Sequence, residues 1–224
     1  KKLLIWLKEV LMAKKRYWKL EYSIALFVML GVILLLMPVS IESTRQANAI
    51  SKWNEKLNRV EYMFSVINAH ITDDILKSMN KAKTPQEREA ILLALVKPYL
   101  RINTENYPSK HYKPRYMNGA KVYKGQSYYF DDFYFAENNS IVGIKDIKSE
   151  NSTDALFIMM FDINGIMPPN RWGRDIYGVN IYDGGKIEPF GFDMEMNELK
   201  KDCSDSGTGV SCSYYYKIGG GFDE

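Results

Sequence analysis

A nearly uninterrupted apolar run over residues 20–39 constrains the fold of this 224-residue chain more than any other feature. Between residues 24 and 39, only Gly31 and Pro38 interrupt the apolar side chains. At about 1.5 Å per residue, an α-helix over this stretch would be about 24 Å long, which suits a short membrane span. The run therefore predicts a transmembrane helix over residues 17–41.

Basic residues are distributed asymmetrically around this run. Seven of them precede it, whereas Arg45 is the only basic residue between positions 40 and 51. Because positive charge stays on the cytoplasmic side of a membrane, the asymmetry predicts a cytoplasmic N-terminus and an exported C-terminal part. A cleaved secretory signal is disfavoured, because the run is longer than the core of a typical signal peptide. The preceding basic residues are Lys1, Lys2, Lys8, Lys14, Lys15, Arg16 and Lys19.

The net charge of +3 does not indicate a nucleic-acid partner. Residues 1–21 contain seven basic and two acidic side chains and carry +5, so the rest of the chain carries −2. The basic character therefore belongs to the N-terminal segment, and the exported part offers no basic face for phosphate groups. That part is long enough for one domain with its own core.

The chain has two cysteines, Cys203 and Cys212, separated by eight mostly small or polar residues. Two cysteines in an exported domain are expected to form a disulfide. Because no histidine is nearby, they do not make a zinc site. We therefore predict a disulfide-closed loop near the C-terminus.

Two amphipathic helices are predicted before residue 103. In the first, apolar residues recur at alternating spacings of three and four, which places them on one side of a helix. A coiled coil would show the same spacing. We expect the stripe to pack against a sheet, because the strand-rich segment that follows needs a cover. The second helix should run from Thr84 to about Leu100, with a capping box formed by Thr84 and Glu87. The stripe consists of Ile50, Trp53, Leu57, Val60, Phe64, Ile67 and Ile71.

Aromatic residues and turn formers dominate after residue 103, which is typical of strands. The continuous apolar run 155–161 predicts a central strand, and Asp183-Gly184-Gly185 predicts a tight hairpin turn. A short last strand is expected over residues 214–218. The other predicted strands cover residues 127–136, 141–145, 155–162, 175–182 and 186–188.

The order of these parts resembles that of type IV pilins and type II secretion pseudopilins. In this family an acidic residue opens the apolar run and a proline follows seventeen residues later, as Glu21 and Pro38 do here. Counted in this way, the first residue of a processed protein would be Tyr17. The family's leader ends in glycine, after which a prepilin peptidase cuts, whereas this chain has Arg16 there. That difference favours an uncleaved relative.

A second resemblance lies in the predicted head. The segment FDING at residues 161–165 is followed by Pro169-Asn170, Gly173 and Asp175. This order is similar to a D-x-N-G, P-N, G-x-D arrangement found in many bacterial pilin-like proteins. Together with the two cysteines, the resemblance covers most of the chain after the basic leader.

The resemblance implies a pilin-like α+β fold. A long N-terminal helix, first membrane-spanning and then amphipathic, would pack on a small antiparallel β-sheet, and a disulfide loop would close the C-terminus. The implied segments are a basic cytoplasmic leader at 1–16, a transmembrane helix at 17–41, a helical stalk with a second helix at 42–103 and an exported β-rich head at 104–224.

The resemblance also implies a structural function. The N-terminal helix would assemble with homologous subunits into a surface or periplasm-spanning filament that serves adhesion, motility, DNA uptake or protein secretion. The implied location is single-pass in a bacterial inner membrane, with the head periplasmic or extracellular. The membrane, a prepilin peptidase and an assembly platform would be further partners.

Three residues of the N-terminal segment have implied roles. Glu21 would promote assembly by pairing with the free N-terminal amine of a neighbouring subunit. Alternatively, Glu21 lies at headgroup level, where Lys19 or water neutralises it. Leader processing and N-methylation would take place at the junction of Arg16 and Tyr17.

Asp162, Asn164 and Asp175 place oxygen ligands near a glycine turn, which suits calcium. The alternative is structural, because Asn164-Gly165 makes a good turn by itself and Asp175 can cap a loop. A complete calcium loop is absent from the sequence, since no acidic residue follows at the spacing that would close it. Calcium is therefore a candidate ligand, and no other cofactor is expected.

No enzyme is predicted, because neither a nucleophile–base pair nor a phosphate-binding loop is recognisable. The second functional hypothesis is a monomeric, membrane-anchored binding module that presents a tyrosine-rich head to a partner. Trp172 and the tyrosines are more simply explained as packing residues. An intact leader would favour the binding module, and a mature N-terminus at Tyr17 would favour a filament subunit.

Overall fold

The structure is a computed structural model that describes residues 2–70, 81–105, 107–108, 112–147 and 155–221. In the first of these ranges, side chains are described for residues 19–34 and 44–70. The chain divides into two compact units, Lys1–Ala47 and Asn48–Glu224. All the buried apolar side chains of the described residues belong to the second unit.

The first helix, α1, spans Lys2–His70, and the predicted apolar stripe lies in its C-terminal part. Trp53 is fully buried and stacks on Tyr177, with 4.9 Å between the ring centroids. The indole Nε1 of Trp53 donates a hydrogen bond of 2.8 Å to the carbonyl oxygen of Ser213. Ile71 lies outside the described residues. The prediction that the stripe covers a sheet is confirmed by the shared core of Trp53, Leu57, Val60, Phe64, Ile67, Phe157, Met159, Phe161, Tyr177 and Val179.

The apolar run does not form the predicted membrane helix. Within the described part of the chain, no helix combines the length and the apolar character needed to cross a membrane. This finding contradicts the membrane-spanning part of the predicted fold class, and with it the predicted single-pass location in a bacterial inner membrane.

The second helix, α2, spans Pro85–Leu100 and begins as predicted. Thr84 Oγ1 accepts a hydrogen bond of 3.2 Å from the backbone N–H of Glu87, and Glu87 Oε2 accepts one of 3.4 Å from the backbone N–H of Thr84. This reciprocal capping box satisfies two N–H groups of the first turn. One face of α2 enters the same core through Leu92, Val96 and Leu100.

Five described strands form one antiparallel sheet: β1 Phe133–Phe135, β2 Ile141–Asp146, β3 Ala155–Asp162, β4 Ile176–Tyr182 and β5 Ile187–Pro189. Their order in the sheet follows the chain, so β3 is central, as its apolar sequence predicts. The α1 side of the sheet receives Phe157, Met159 and Phe161. The intervening Ile158 and Met160 enter a second core on the opposite face. Both faces are therefore covered, which explains why β3 is continuously apolar.

Two predictions about strands are wrong. Only Phe133–Phe135 of the predicted segment 127–136 forms a strand, because a turn bond of 3.1 Å from the N–H of Tyr129 to the carbonyl of Gln126 bends the chain before it. The expected strand at 214–218 is a helix, α4 Cys212–Lys217, preceded by α3 Met196–Asp202.

The predicted disulfide between Cys203 and Cys212 is present, with 5.3 Å between the Cα atoms. The carboxylate of Asp202 accepts hydrogen bonds from the N–H and hydroxyl groups of Thr208 and Ser211. These bonds lower the pKa of Asp202 against the effect of its burial. The loop therefore closes tightly and turns the chain into α4 instead of a strand.

Candidate functional site

The most exposed apolar surface of the described chain lies on α1. Leu26, Phe27, Val28 and Met29 are consecutive, and each is at least 59% exposed. Since successive residues of an α-helix are about 100° apart, these four side chains point in all directions around the axis. The helix is thus uncovered on every side, whereas a surface helix of a globular domain has one apolar face. The exposed apolar segment, as we call residues 20–34, also contains Leu20, Tyr22, Ile24, Leu30, Val32, Ile33 and Leu34.

The residues predicted to act in processing and assembly lie at the start of this segment. Glu21 is exposed on α1. Arg16 and Tyr17 also lie in α1, but their side chains fall outside the described residues. The assembly role of Glu21 and the processing of the junction therefore stay predictions.

The second candidate site is a pair of buried carboxyl groups at one end of β3 and β4. Asp162 is the last residue of β3 and faces Ile176 of β4 in the ladder. It is fully buried. Its Oδ2 accepts a hydrogen bond of 2.8 Å from the hydroxyl of Tyr112, and its Oδ1 accepts one of 3.2 Å from the N–H of Asn164. Both carboxyl oxygens of Asp162 thus have protein donors.

Asp175 immediately precedes β4 and is 3% exposed. Its Oδ2 accepts a hydrogen bond of 2.8 Å from the N–H of Asn170, and its Oδ1 accepts one of 2.6 Å from the N–H of Arg171. The orientation of the Asn170 amide that satisfies both of its polar atoms places its nitrogen 3.2 Å from Oδ2 of Asp162 and 3.0 Å from the carbonyl of Gly165. The backbone and side chain of Asn170 therefore link the two carboxyl groups.

Burial changes the titration of this pair. It raises the pKa of Asp175 to about 6. Burial, and after it the negative charge of Asp175, raises the pKa of Asp162 well above its usual value. The pKa of Tyr112 is raised by burial and by Asp162. Two carboxyl groups in such surroundings retain a proton at pH values at which exposed aspartates are ionised.

The carboxyl oxygens of the predicted calcium ligands have hydrogen-bond donors in the described structure. All four carboxyl oxygens of Asp162 and Asp175 accept hydrogen bonds. The third predicted ligand, Asn164, has a buried side-chain oxygen that has no hydrogen-bond partner in the described structure. Calcium takes six to eight oxygen ligands. Among the described residues, no three His, Cys, Asp or Glu side chains are grouped closely enough to hold a metal ion. Calcium binding stays a prediction that a melting experiment can test.

The hydrogen bonds that link Tyr112, Asp162, Asn170 and Asp175, which we call the clasp, hold residues 163–175 between β3 and β4. The sequence grouped Asp162, Asn164 and Asp175, and the structure brings them together. It did not identify Tyr112, because fifty residues separate it from Asp162 and no local pattern links them. The glycine of the motif has a structural reason: a Cβ on Gly165, whose φ is +73°, would lie 2.2 Å from the carbonyl oxygen of Asn139.

Comparison of the chain with protein-family models, with curated proteins and with solved structures gives no match.

Proposed function

We propose that this protein is a structural subunit, similar to type IV pilins and pseudopilins, that assembles with copies of itself by burying the exposed apolar segment of α1. The observation that carries the proposal is the exposure of apolar side chains on every side of the helix between residues 20 and 34. The buried core of the second compact unit contains no residue of this segment.

The energetics favour association. Full burial of one large apolar side chain contributes about 1.5–3 kcal/mol. Nine large apolar side chains lie between residues 24 and 34, so burying even half of their surface would contribute roughly 7–13 kcal/mol. This contribution exceeds the lower part of the free-energy cost of lost translational and rotational freedom on association, which is about 4–15 kcal/mol. A bundle of such helices can bury all sides at once, which a single flat partner surface cannot.

The head supports the same proposal in a second way. Its sheet is covered by α1 on one face and by loops on the other, and a clasp fixes the segment that carries the D-x-N-G and P-N residues. These residues carry the resemblance to pilin-like proteins. Their role here is structural, which suits a subunit whose function is to hold a fixed shape within an assembly.

The proposal can be tested with the full chain by sedimentation velocity and electron microscopy. We expect regular assemblies whose proportion increases with protein concentration. Replacing Leu26 and Met29 by lysine should abolish them, because two charges on one face of the helix would be desolvated in the assembly. The matched control is Asn58→Lys, which adds a charge to an exposed position of the same helix outside the segment.

The outcomes separate the two functional hypotheses. Assembly that the lysine pair abolishes and Asn58→Lys preserves would support a filament subunit. A chain that stays monomeric at all concentrations would refute this function and favour a binding module. Glu21→Ala tests the assembly role of that residue, and unchanged incorporation would show that Glu21 has no such role.

A further inference from the structure

A polar cavity of about 270 Å³ lies between α1 and the turn that joins β1 to β2. Three cationic side chains of α1 line it at spacings of four and three residues, so they share one face of the helix. The turn closes the cavity on the opposite side. The lining includes Lys52, Lys56 and Arg59 from α1 and Glu137, Asn138 and Ser140 from the turn.

Positive charge at this cavity is only partly compensated. Arg59 Nη1 lies 2.7 Å from Oε2 of Glu137, without a well-aligned hydrogen bond, and Arg101 approaches the other carboxylate oxygen to 3.9 Å. Glu137 is therefore shared by two arginines. Lys52 and Lys56 have no carboxylate within ion-pair distance among the described residues, although Glu55 also lines the cavity. Burial, followed by repulsion from Arg59, lowers the pKa of Lys56, although attraction by Glu137 and Glu55 offsets part of this effect. An acidic group placed in the cavity would relieve this repulsion.

The opposite end of the same strand pair is acidic. Asp131 and Asp132 directly precede β1 and are exposed. Asp131 forms an ion pair of 3.6 Å with Lys124, and both side chains are largely in solvent, so this pair contributes little. Glu89 lies beside them, and its pKa is raised by burial and then by the neighbouring carboxylates. Asp146 belongs to this end too, but Arg88 already pairs with it.

The two charged ends lie apart along the β1–β2 ladder. Phe135 pairs with Ile141, which follows the cavity residue Ser140, whereas Phe133 pairs with Gly143. Asp132 and Asp131 precede Phe133, so at about 3.4 Å per residue they lie about 10–14 Å further along the ladder than Phe135. The cavity and the acidic end are therefore separate surfaces of one copy.

We propose that the cavity accepts Asp131 and Asp132 of a second copy of this chain. Such a contact joins different surfaces of the two copies, so each added copy presents a new free cavity and a new free acidic end. Contacts of this type make open assemblies unless the rotation closes a ring. The inference rests on the proposed assembly function and adds to it the direction in which successive heads are joined.

Charge exchange in the full chain tests this contact. The basic-end variant carries Lys52→Glu and Lys56→Glu, and the acidic-end variant carries Asp131→Lys and Asp132→Lys. Each variant alone should raise the critical concentration for assembly about tenfold or more, because close charge pairs across interfaces become repulsive. The chain that carries all four changes should assemble like the wild type, and so should an equimolar mixture of the two variants. Lys200→Glu with Lys201→Glu, on exposed positions of α3, is the charge-matched control and should have no effect.

The outcomes also distinguish this contact from the assembly function itself. Melting curves first establish that each variant is folded, which is expected because most of the exchanged side chains are exposed. Single variants that assemble normally would overturn the contact, while the lysine pair in the apolar segment would still test assembly separately. Loss of assembly in the basic-end variant without rescue in the fourfold variant would also overturn it, and would make the cavity a site for a small anion such as phosphate. A wild-type chain that never assembles would refute both proposals.

Discussion

Phe27→Ala should weaken self-association without destabilising the head. The ring of Phe27 is 74% exposed, so nearly all of its apolar surface is available to a partner. Full burial of a phenylalanine side chain contributes about 1.5–3 kcal/mol, of which about three quarters, or about 1–2 kcal/mol, would be lost on truncation. At 1.4 kcal/mol per factor of ten, the dissociation constant should rise about 5- to 30-fold for each contact made.

The matched control for this substitution is Tyr62→Ala. Tyr62 is 69% exposed on the same helix but belongs to the second compact unit. Sedimentation over a concentration series gives the association constants, and urea unfolding of the head should change by less than about 0.5 kcal/mol for either variant, as is usual for exposed positions. Equal effects of Phe27→Ala and Tyr62→Ala on association would refute the reasoning, because general surface hydrophobicity would then explain the assembly.

Three further predictions concern the second compact unit. The pKa of Asp175 is raised to about 6 in the folded state, so the protonated carboxyl group favours folding. The free energy of unfolding should therefore fall as the pH rises from about 4 to about 6. Urea midpoints measured across this range should show the slope, and Asp175→Asn should flatten it. Trp53→Ala should cost about 3–5 kcal/mol in urea unfolding, because the fully buried indole stacks on Tyr177 and bonds to Ser213; a loss below about 1 kcal/mol would contradict its role in joining α1 to the sheet. Calcium bound by Asp162, Asn164 and Asp175 should raise the melting temperature, and Asp162→Ala should abolish that rise; an unchanged melting temperature would dismiss calcium binding.

Local patterns in the sequence predicted several elements well. The capping box at Thr84 and the central strand Ala155–Asp162 depend on neighbouring residues and on continuous apolar character, so they are readable without tertiary information. The apolar stripe of α1 was equally clear, because its spacing matches the helical repeat.

The remaining features depend on distant contacts. Residues 214–218 contain three tyrosines with high strand propensity, yet the disulfide and a hydrogen bond from the N–H of Tyr214 to the carbonyl of Phe190 hold them in a helix. The clasp needs Tyr112, whose position beside Asp162 follows only from the complete fold. Hydropathy predicts a membrane helix from the apolar run, whereas no helix among the described residues is long and apolar enough to cross a membrane.

The most direct test compares two methionines during assembly. Met29, in the exposed apolar segment, and Met167, in the loop held by the clasp, are 63% and 62% exposed, so peroxide should oxidise both at similar rates in dissociated protein. We expect peptide mapping of the assembled protein to show Met29 protected and Met167 still reactive. Equal oxidation of both methionines in assembled and dissociated protein would contradict burial of the segment between copies.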